Sequence, residues 1–224
     1  MTGSTGRALR LAHRGDWRRA PENTLPALLA ALDVPACDGV EFDVRSSSDG
    51  VPVLQHDETL ARVHGRPERP QDLTVVELRA SGVSALEDVL AAIPVRAFLD
   101  IEVKDSPARS FVGVVEAARG RELRNAVVSS FVPAVLRSVR QQRPAWPLWL
   151  NTMDLEPGML TLARKLDCVG ISVEWRSIDE PAMRRARAAG LDVAAWTIRR
   201  RPTFDRLARL GVMAMCVEGA ALDG

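Results

Sequence analysis

The sequence predicts an α/β chain folded as a TIM (β/α)8 barrel with a short insertion after the second strand, and three observations predict it. Short apolar runs alternate with amphipathic stretches along all 224 residues, the pattern of a parallel sheet with helical crossovers. Eight such strand–helix units can be counted, the number that closes a barrel. A doubly wound open sheet would carry a Gly-rich turn after its first strand, and His13-Arg14-Gly15-Asp16 stands there instead.

Taken in order, Leu9 to Ala12 forms the first strand and Thr24 to Leu32 the helix behind it. Pro26 falls in that helix's first turn, where a missing N–H does little harm. The second strand runs from Asp38 to Arg45. Val40, Phe42 and Val44 alternate with Glu41 and Asp43, so apolar side chains take one face and carboxylates the other. An Asp49-Gly50 turn signal leads into Val51 to Leu54, read as an extension of the second strand, and His56-Asp57 follows. Residues 58–84 are polar, carry Pro67 and Pro70, and read as a small insertion with one short helix at Val75 to Ala80. A helix over Ala85 to Ala92 stops at Pro94.

The theme then repeats. Strand Ala97 to Val103 precedes helix Arg109 to Arg119, and strand Ala126 to Ser130 precedes helix Pro133 to Gln142. A weak strand at Pro147 to Leu150 leads to helix Pro157 to Leu166, and Val169 to Val173 to helix Glu180 to Ala189, closed by Gly190. Val193 to Thr197 with helix Thr203 to Leu210, then Val212 to Val217, complete the series. No repeat or domain boundary interrupts it, so residues 1–224 are expected to form a single catalytic domain.

Charged residues make up 26% of the chain and the formal net charge is +1, which gives no bulk attraction for nucleic acid or an acidic membrane. The Arg199-Arg200-Arg201 cluster reads as a solvated loop or helix start before a phosphate contact. Three widely separated cysteines, Cys37, Cys168 and Cys216, fit inert thiols in a reducing compartment. Met1 to Arg10 has no apolar core of signal-peptide length, and no run approaches the roughly 18 apolar residues of a membrane span. A cytoplasmic protein without stable membrane association is expected.

The chemistry gathers where strands end, which in such a barrel is the catalytic rim. The first strand ends in His13-Arg14-Gly15, with Pro21-Glu22-Asn23-Thr24 in its loop; the second carries Glu41 and Asp43, then His56-Asp57. The third ends in Asp100-Ile101-Glu102-Val103-Lys104, whose charged residues share a face. Glu41 and Asp43 on an otherwise apolar strand repel each other and resist burial, and a divalent metal is the simplest positive partner.

The ordered set of His-Arg-Gly, Pro-Glu-Asn-Thr, Glu-x-Asp, His-Asp and Glu-x-Lys resembles the glycerophosphodiester phosphodiesterases over nearly the whole chain. Asp72-Leu73-Thr74, Glu77-Leu78 and Leu86-Glu87-Asp88-Val89-Leu90 are similar to that family's insertion. The resemblance implies a TIM barrel of glycerol and lipid metabolism that splits a small-molecule glycerophosphodiester into sn-glycerol 3-phosphate and an alcohol. It implies that His13 and His56 are the general acid/base pair, and that Glu41, Asp43 and Glu102 bind metal with Glu22 near or on it. Arg14 and Lys104 would hold the phosphate, and Phe131 and Trp196 resemble positions around the glycerol pocket. The four carboxylates together repel a phosphodiester; one divalent ion offsets half their charge, and Arg14 with Lys104 the rest. An all-oxygen set suits Mg²⁺, Ca²⁺ or Mn²⁺ rather than zinc.

Bland roles compete with these. A His at a strand end is usually structural, but His13 and His56 share motifs with carboxylates, whereas His64 reads as a loop residue. Asp57 orients His56 or caps a turn, Asp100 is a ligand or a partner of Lys104, and Asn23 and Thr24 start a helix. Phe131 and Trp196 compete with the reading of a buried core aromatic. Trp17 and Trp175 are candidates for the pocket wall, while Trp146 and Trp149 get no role. The chain also departs from the family's usual pattern, with Arg199 where Asn follows Trp-Thr-x and Val217-Glu218-Gly219 where the last strand ends in Thr-Asp. Two other functions compete: a lysophospholipase D cutting the same bond in an acylated substrate, and a barrel that binds phosphate esters without turnover.

Overall fold

A computed structural model describes residues 7–224 of the chain. Residues 1–6, part of the stretch read above for a targeting signal, lie outside the described residues. The polypeptide runs through β1 (Leu9–His13), α1 (Leu25–Leu32), β2 (Gly39–Ser46), β3 (Pro52–Leu54), α2 (Ala61–His64), α3 (Val75–Ala80) and α4 (Leu86–Ala92). It continues through β4 (Phe98–Val103), α5 (Phe111–Arg119), β5 (Ala126–Ser130), α6 (Pro133–Gln142), β6 (Leu148–Thr152) and α7 (Pro157–Lys165). β7 (Gly170–Glu174), α8 (Glu180–Ala188), β8 (Asp192–Ile198), α9 (Arg201–Leu210) and β9 (Ala214–Val217) end it.

Strands β1, β2, β4, β5, β6, β7, β8 and β9 are parallel neighbours in that order, and β9 pairs back to β1. The sheet closes into the expected barrel. One strand departs from expectation. β3 does not extend β2 but doubles back on it, antiparallel, with Val44 opposite Leu54, because the Asp49-Gly50 turn reverses the chain. This reversal brings His56 back towards the barrel mouth. Strand β6 also runs two residues past the expected Leu150, since the polar Asn151 and Thr152 belong to it.

Helix starts follow local chemistry. The Thr24 hydroxyl accepts the Ala27 N–H at 3.4 Å, and Thr74 with Glu77 forms a reciprocal capping box. α9 begins at Arg201, ahead of the expected Thr203, with Pro202 in its first turn.

Among the described residues the core lies in three places, one of them a small cluster of Val53, Leu60, Leu78 and Val83 that packs β3 against the insertion. Val40, Phe42, Val44, Leu99, Ile101 and Val103 face outward and pack with helix residues such as Leu28, Phe111 and Leu136. A smaller cluster of Leu11, Val127, Trp149, Ala194 and Ala214 fills the barrel. Trp149 lies opposite Gly170 on β7, where a Cβ would come within 2.8 Å of the indole. Only a glycine leaves room for that ring, which stacks with Phe98 at a centroid distance of 6.0 Å and blocks the barrel interior. Beyond it a second cavity of about 800 Å³ opens at the opposite end, also lined by Trp149. Among the described residues no helix is long and apolar enough to cross a membrane.

Candidate active site

The strand pairing builds the acidic centre. Asp43 on β2 lies in register with Glu102 on β4, and Glu41 with Asp100, so four carboxylates point into one end of the barrel. Oxygens of Glu41, Asp43 and Glu102 lie within 4.8 Å of one another, and all three residues are buried. Burial first, then the neighbouring carboxylates, pushes Glu41 well above the usual carboxylate range; burial and Asp43 raise Glu102. Burial would raise Asp43 as well, but Lys104 and Arg14 outweigh it and hold that carboxyl low.

Lys104 Nζ sits 2.8 Å from Asp43 Oδ1 and also pairs with Glu102, while Arg14 Nε lies 3.0 Å from Asp43 Oδ2. Glu41 Oε1 is buried without a hydrogen-bond partner. Three converging carboxylates with an unpartnered oxygen and only two nearby cations fit a hard divalent ion. Glu22 stands outside this trio. Its carboxylate is shared by Arg14, at 2.9 Å, and by Arg62, at 2.7 and 2.9 Å.

The first loop is shaped by its backbone. Gly15 adopts φ +86°, and a Cβ there would fall 2.5 Å from the Ala27 backbone, so the chain turns tightly over α1. Arg14 and Asn23 also lie in the left-handed region, at φ 59° and 56°. Asn23 does not start the helix; it braces the acidic centre. Its Nδ2 donates to Asp43 Oδ2 at 2.7 Å, and its Oδ1 accepts the Asp43 N–H at 3.0 Å. Thr24 alone caps α1.

Each expected imidazole is held by a carboxylate, which in turn is held by an arginine. His56 Nδ1 lies 2.7 Å from Asp57 Oδ1, and Asp57 Oδ2 accepts from Arg62 Nε at 2.6 Å. Burial pushes the His56 ring down against the opposing pull of Asp43 and Asp57. Arg62 brings Asp57 down to about 2. Arg45 donates to the His56 carbonyl through two nitrogens, at 3.1 and 2.8 Å. His13 Nδ1 lies 2.6 Å from Glu218 Oε1, and Glu218 Oε2 accepts from Arg199 Nε at 2.7 Å. Burial would raise Glu218, but His13 and Arg199 bring it to about 2. An ionised carboxylate only accepts, so each ring turns an Nδ1–H to its carboxylate, which leaves Nε2 for proton exchange in the cavity. His13 Nε2 lies 3.8 Å from Glu41 Oε2.

These groups share a cavity of about 570 Å³ at the C-terminal mouth of the barrel. His13, Arg14, Glu22, Glu41, His56, Glu102, Lys104, Phe131 and Trp196 all line it; Asp43 lies fully buried behind them. Phe131 and Trp196 meet edge to face at 5.6 Å, and Trp17 adds to the wall. Trp175 does not; it lies beneath the Arg176 guanidinium, 4.6 Å away. Asp100 pairs with Ser129, whose hydroxyl donates at 2.5 Å, and not with Lys104; burial raises it to about 7. Sequence reasoning gave no site role to Asn23, Arg62, Asn151, Ser172 or Cys216. The last three are the inward-facing residues of β6, β7 and β9, a position that the alternation of each strand marks.

Known proteins resemble this chain over most of its length. The sequence profile of the glycerophosphoryl diester phosphodiesterase family matches residues 13–220. A glycerophosphodiester phosphodiesterase from Caldanaerobacter subterraneus subsp. tengcongensis is 26% identical, covering 92% of both chains. Glycerophosphodiester phosphodiesterase 1 of Bos taurus is 30% identical over 87% of this chain and 72% of its own. A phosphodiesterase of Oleispira antarctica, solved with the product sn-glycerol-3-phosphate, superposes with a TM-score of 0.80 at 24% identity, covering 94% of this chain and 93% of its own; that likeness speaks for the fold. With the profile spanning nearly all of the barrel and its mouth, the chain belongs to the glycerophosphoryl diester phosphodiesterase family and is an enzyme of that class.

Proposed function

We propose that residues 1–224 act as one catalytic unit that hydrolyses small glycerophosphodiesters, such as the choline, ethanolamine or inositol types, to sn-glycerol 3-phosphate and an alcohol. One observation carries this reading: two imidazoles, each with Nδ1 held by a carboxylate, line the same cavity as Glu41 and Glu102, which converge with the buried Asp43 behind them.

Glu41, Asp43 and Glu102 would hold the divalent ion, Mg²⁺, Ca²⁺ or Mn²⁺, with Glu22 beside them. Such an ion supplies Lewis-acid stabilisation of phosphoryl oxygens. Arg14 and Lys104 bring positive charge for the phosphate, and Phe131 with Trp196 walls the glycerol end. His13 and His56 divide the proton transfers. One ring takes the proton of the nucleophile, either water or the substrate's 2-hydroxyl. The other gives a proton to the departing alkoxide, each transfer being worth roughly 10²–10⁴-fold.

A second reading, lysophospholipase D, draws support from the exposed apolar side chains of Trp17, Phe131, Val132 and Met153 on loops following β1, β5 and β6. A metal titration coupled to detection of released glycerol 3-phosphate, over several head groups and one lysophospholipid, tests both. Metal-dependent release from the small diesters is expected. Turnover of the acylated substrate alone would replace the first reading with the second, and no turnover of any would leave a binding barrel.

A further inference from the structure

Arg199 and Glu218 come from the loops after β8 and β9, and neither belongs to the acidic trio or to the acid/base pair. Yet they form one chain of contacts ending on His13: guanidinium Nε to Glu218 Oε2 at 2.7 Å, and Glu218 Oε1 to His13 Nδ1 at 2.6 Å. Glu218 is buried, whereas the Arg199 side chain is 74% exposed. Fixing the second oxygen of a buried carboxylate narrows the orientations open to the first and satisfies a group that is costly to leave unpaired. Glu218 lines the same cavity as Glu41 and Glu102. Arg199 occupies the second oxygen and keeps Glu218 turned to the ring.

We propose that Glu218 and Arg199 are positioning residues for His13. Glu218 fixes the ring in the Nδ1–H tautomer with Nε2 on the side of Glu41, 3.8 Å from its Oε2, and Arg199 acts only through Glu218, by holding that carboxylate in place. The inference rests on the catalytic role given to His13 above, and its test separates the two.

The chain has three histidines, so their ring nitrogens can be followed individually by long-range ¹H–¹⁵N spectroscopy in the full-length protein. The wild type should show His13 as the Nδ1–H tautomer, and E218A should lose that preference while His64 keeps its own signal. In kinetics, E218A should lower kcat about tenfold to a hundredfold with KM little changed. E218Q, which keeps the side chain's shape, should lie between E218A and wild type and guards against a folding defect. R199A should lower kcat about two- to fivefold, the range of an exposed ion pair; R199K should recover most of it, and R199A should cost nothing further in the E218A background. An unchanged His13 tautomer in E218A overturns the inference. So does an R199A penalty that persists beside E218A, or a rise in KM confined to one head group, which would make Arg199 a direct reader of substrate. Should the wild type release no glycerol 3-phosphate from any diester, the functional reading falls, and the tautomer measurement still decides whether Glu218 orients the ring.

Discussion

The two imidazoles are oriented alike and anchored differently. His56 takes its carboxylate from the next residue, Asp57, and the arginine behind it, Arg62, arrives on the short helix α2 between β3 and α3. That arginine also grips Glu22, which Arg14 shares, so the His56 arm is tied to the first loop and through Arg14 to Asp43. His13 takes its carboxylate from a residue 205 positions away, and the arginine behind it holds that carboxylate alone. One arm is local in sequence and its arginine bridges two carboxylates; the other is remote in sequence and, among the described residues, its arginine holds one. A local contact costs little chain entropy to form, whereas the His13–Glu218 contact exists only once β9 has closed the barrel against β1. The His13 arm therefore depends on completed folding in a way the Asp57–His56 pair does not.

The strongest way to break this comparison is to remove the rings. H13A and H56A should each lower turnover by about 10²–10⁴-fold with melting temperatures near wild type, and a normal rate in either would end the pairing. The arginines sharpen it at lower cost. R62A frees both Asp57 and Glu22, so it should cost about tenfold in activity, in kcat and KM together, against the smaller, kcat-only loss expected for R199A; equal losses would erase the asymmetry.

The smallest effect is on acid stability. Asp57 and Glu218 both titrate at about 2 in the folded protein, below the roughly 4 of unfolded Asp and Glu. A depressed carboxyl stabilises the fold above its unfolded pKa, and that contribution is lost as pH falls from about 4 through 2. Denaturant midpoints followed from pH 5 to 2 should fall less steeply in D57N and E218Q than in wild type. Slopes that match wild type would show that neither carboxylate gains from its imidazole and arginine.

Much of the barrel was legible because burial writes a period into the chain. Val40, Phe42 and Val44 against Glu41 and Asp43 marked both faces of β2, and the register with β4 then brought Glu102 to the same point. His56-Asp57 was legible because its partners are adjacent. What stayed hidden depended on closure or on reversal. Glu218 and Arg199 were visible only as departures from a family pattern, since nothing local says that they meet each other or His13. The doubling back of β3 was written in Asp49-Gly50, a hairpin turn signal, and was lost when Val51 to Leu54 was read as an extension of the second strand. Asn23 resembled a helix start, and its role came from a left-handed backbone that turns its amide onto Asp43. Arg62 sat in a polar stretch with no periodicity to single it out.

Trp149, accommodated by Gly170, has a consequence for traffic. With an indole stopping the passage midway, the barrel has a single doorway. A diester must come in, and both halves of it must go out, past Trp17 and the Phe131–Trp196 pair. Both products therefore leave through the mouth by which the substrate entered.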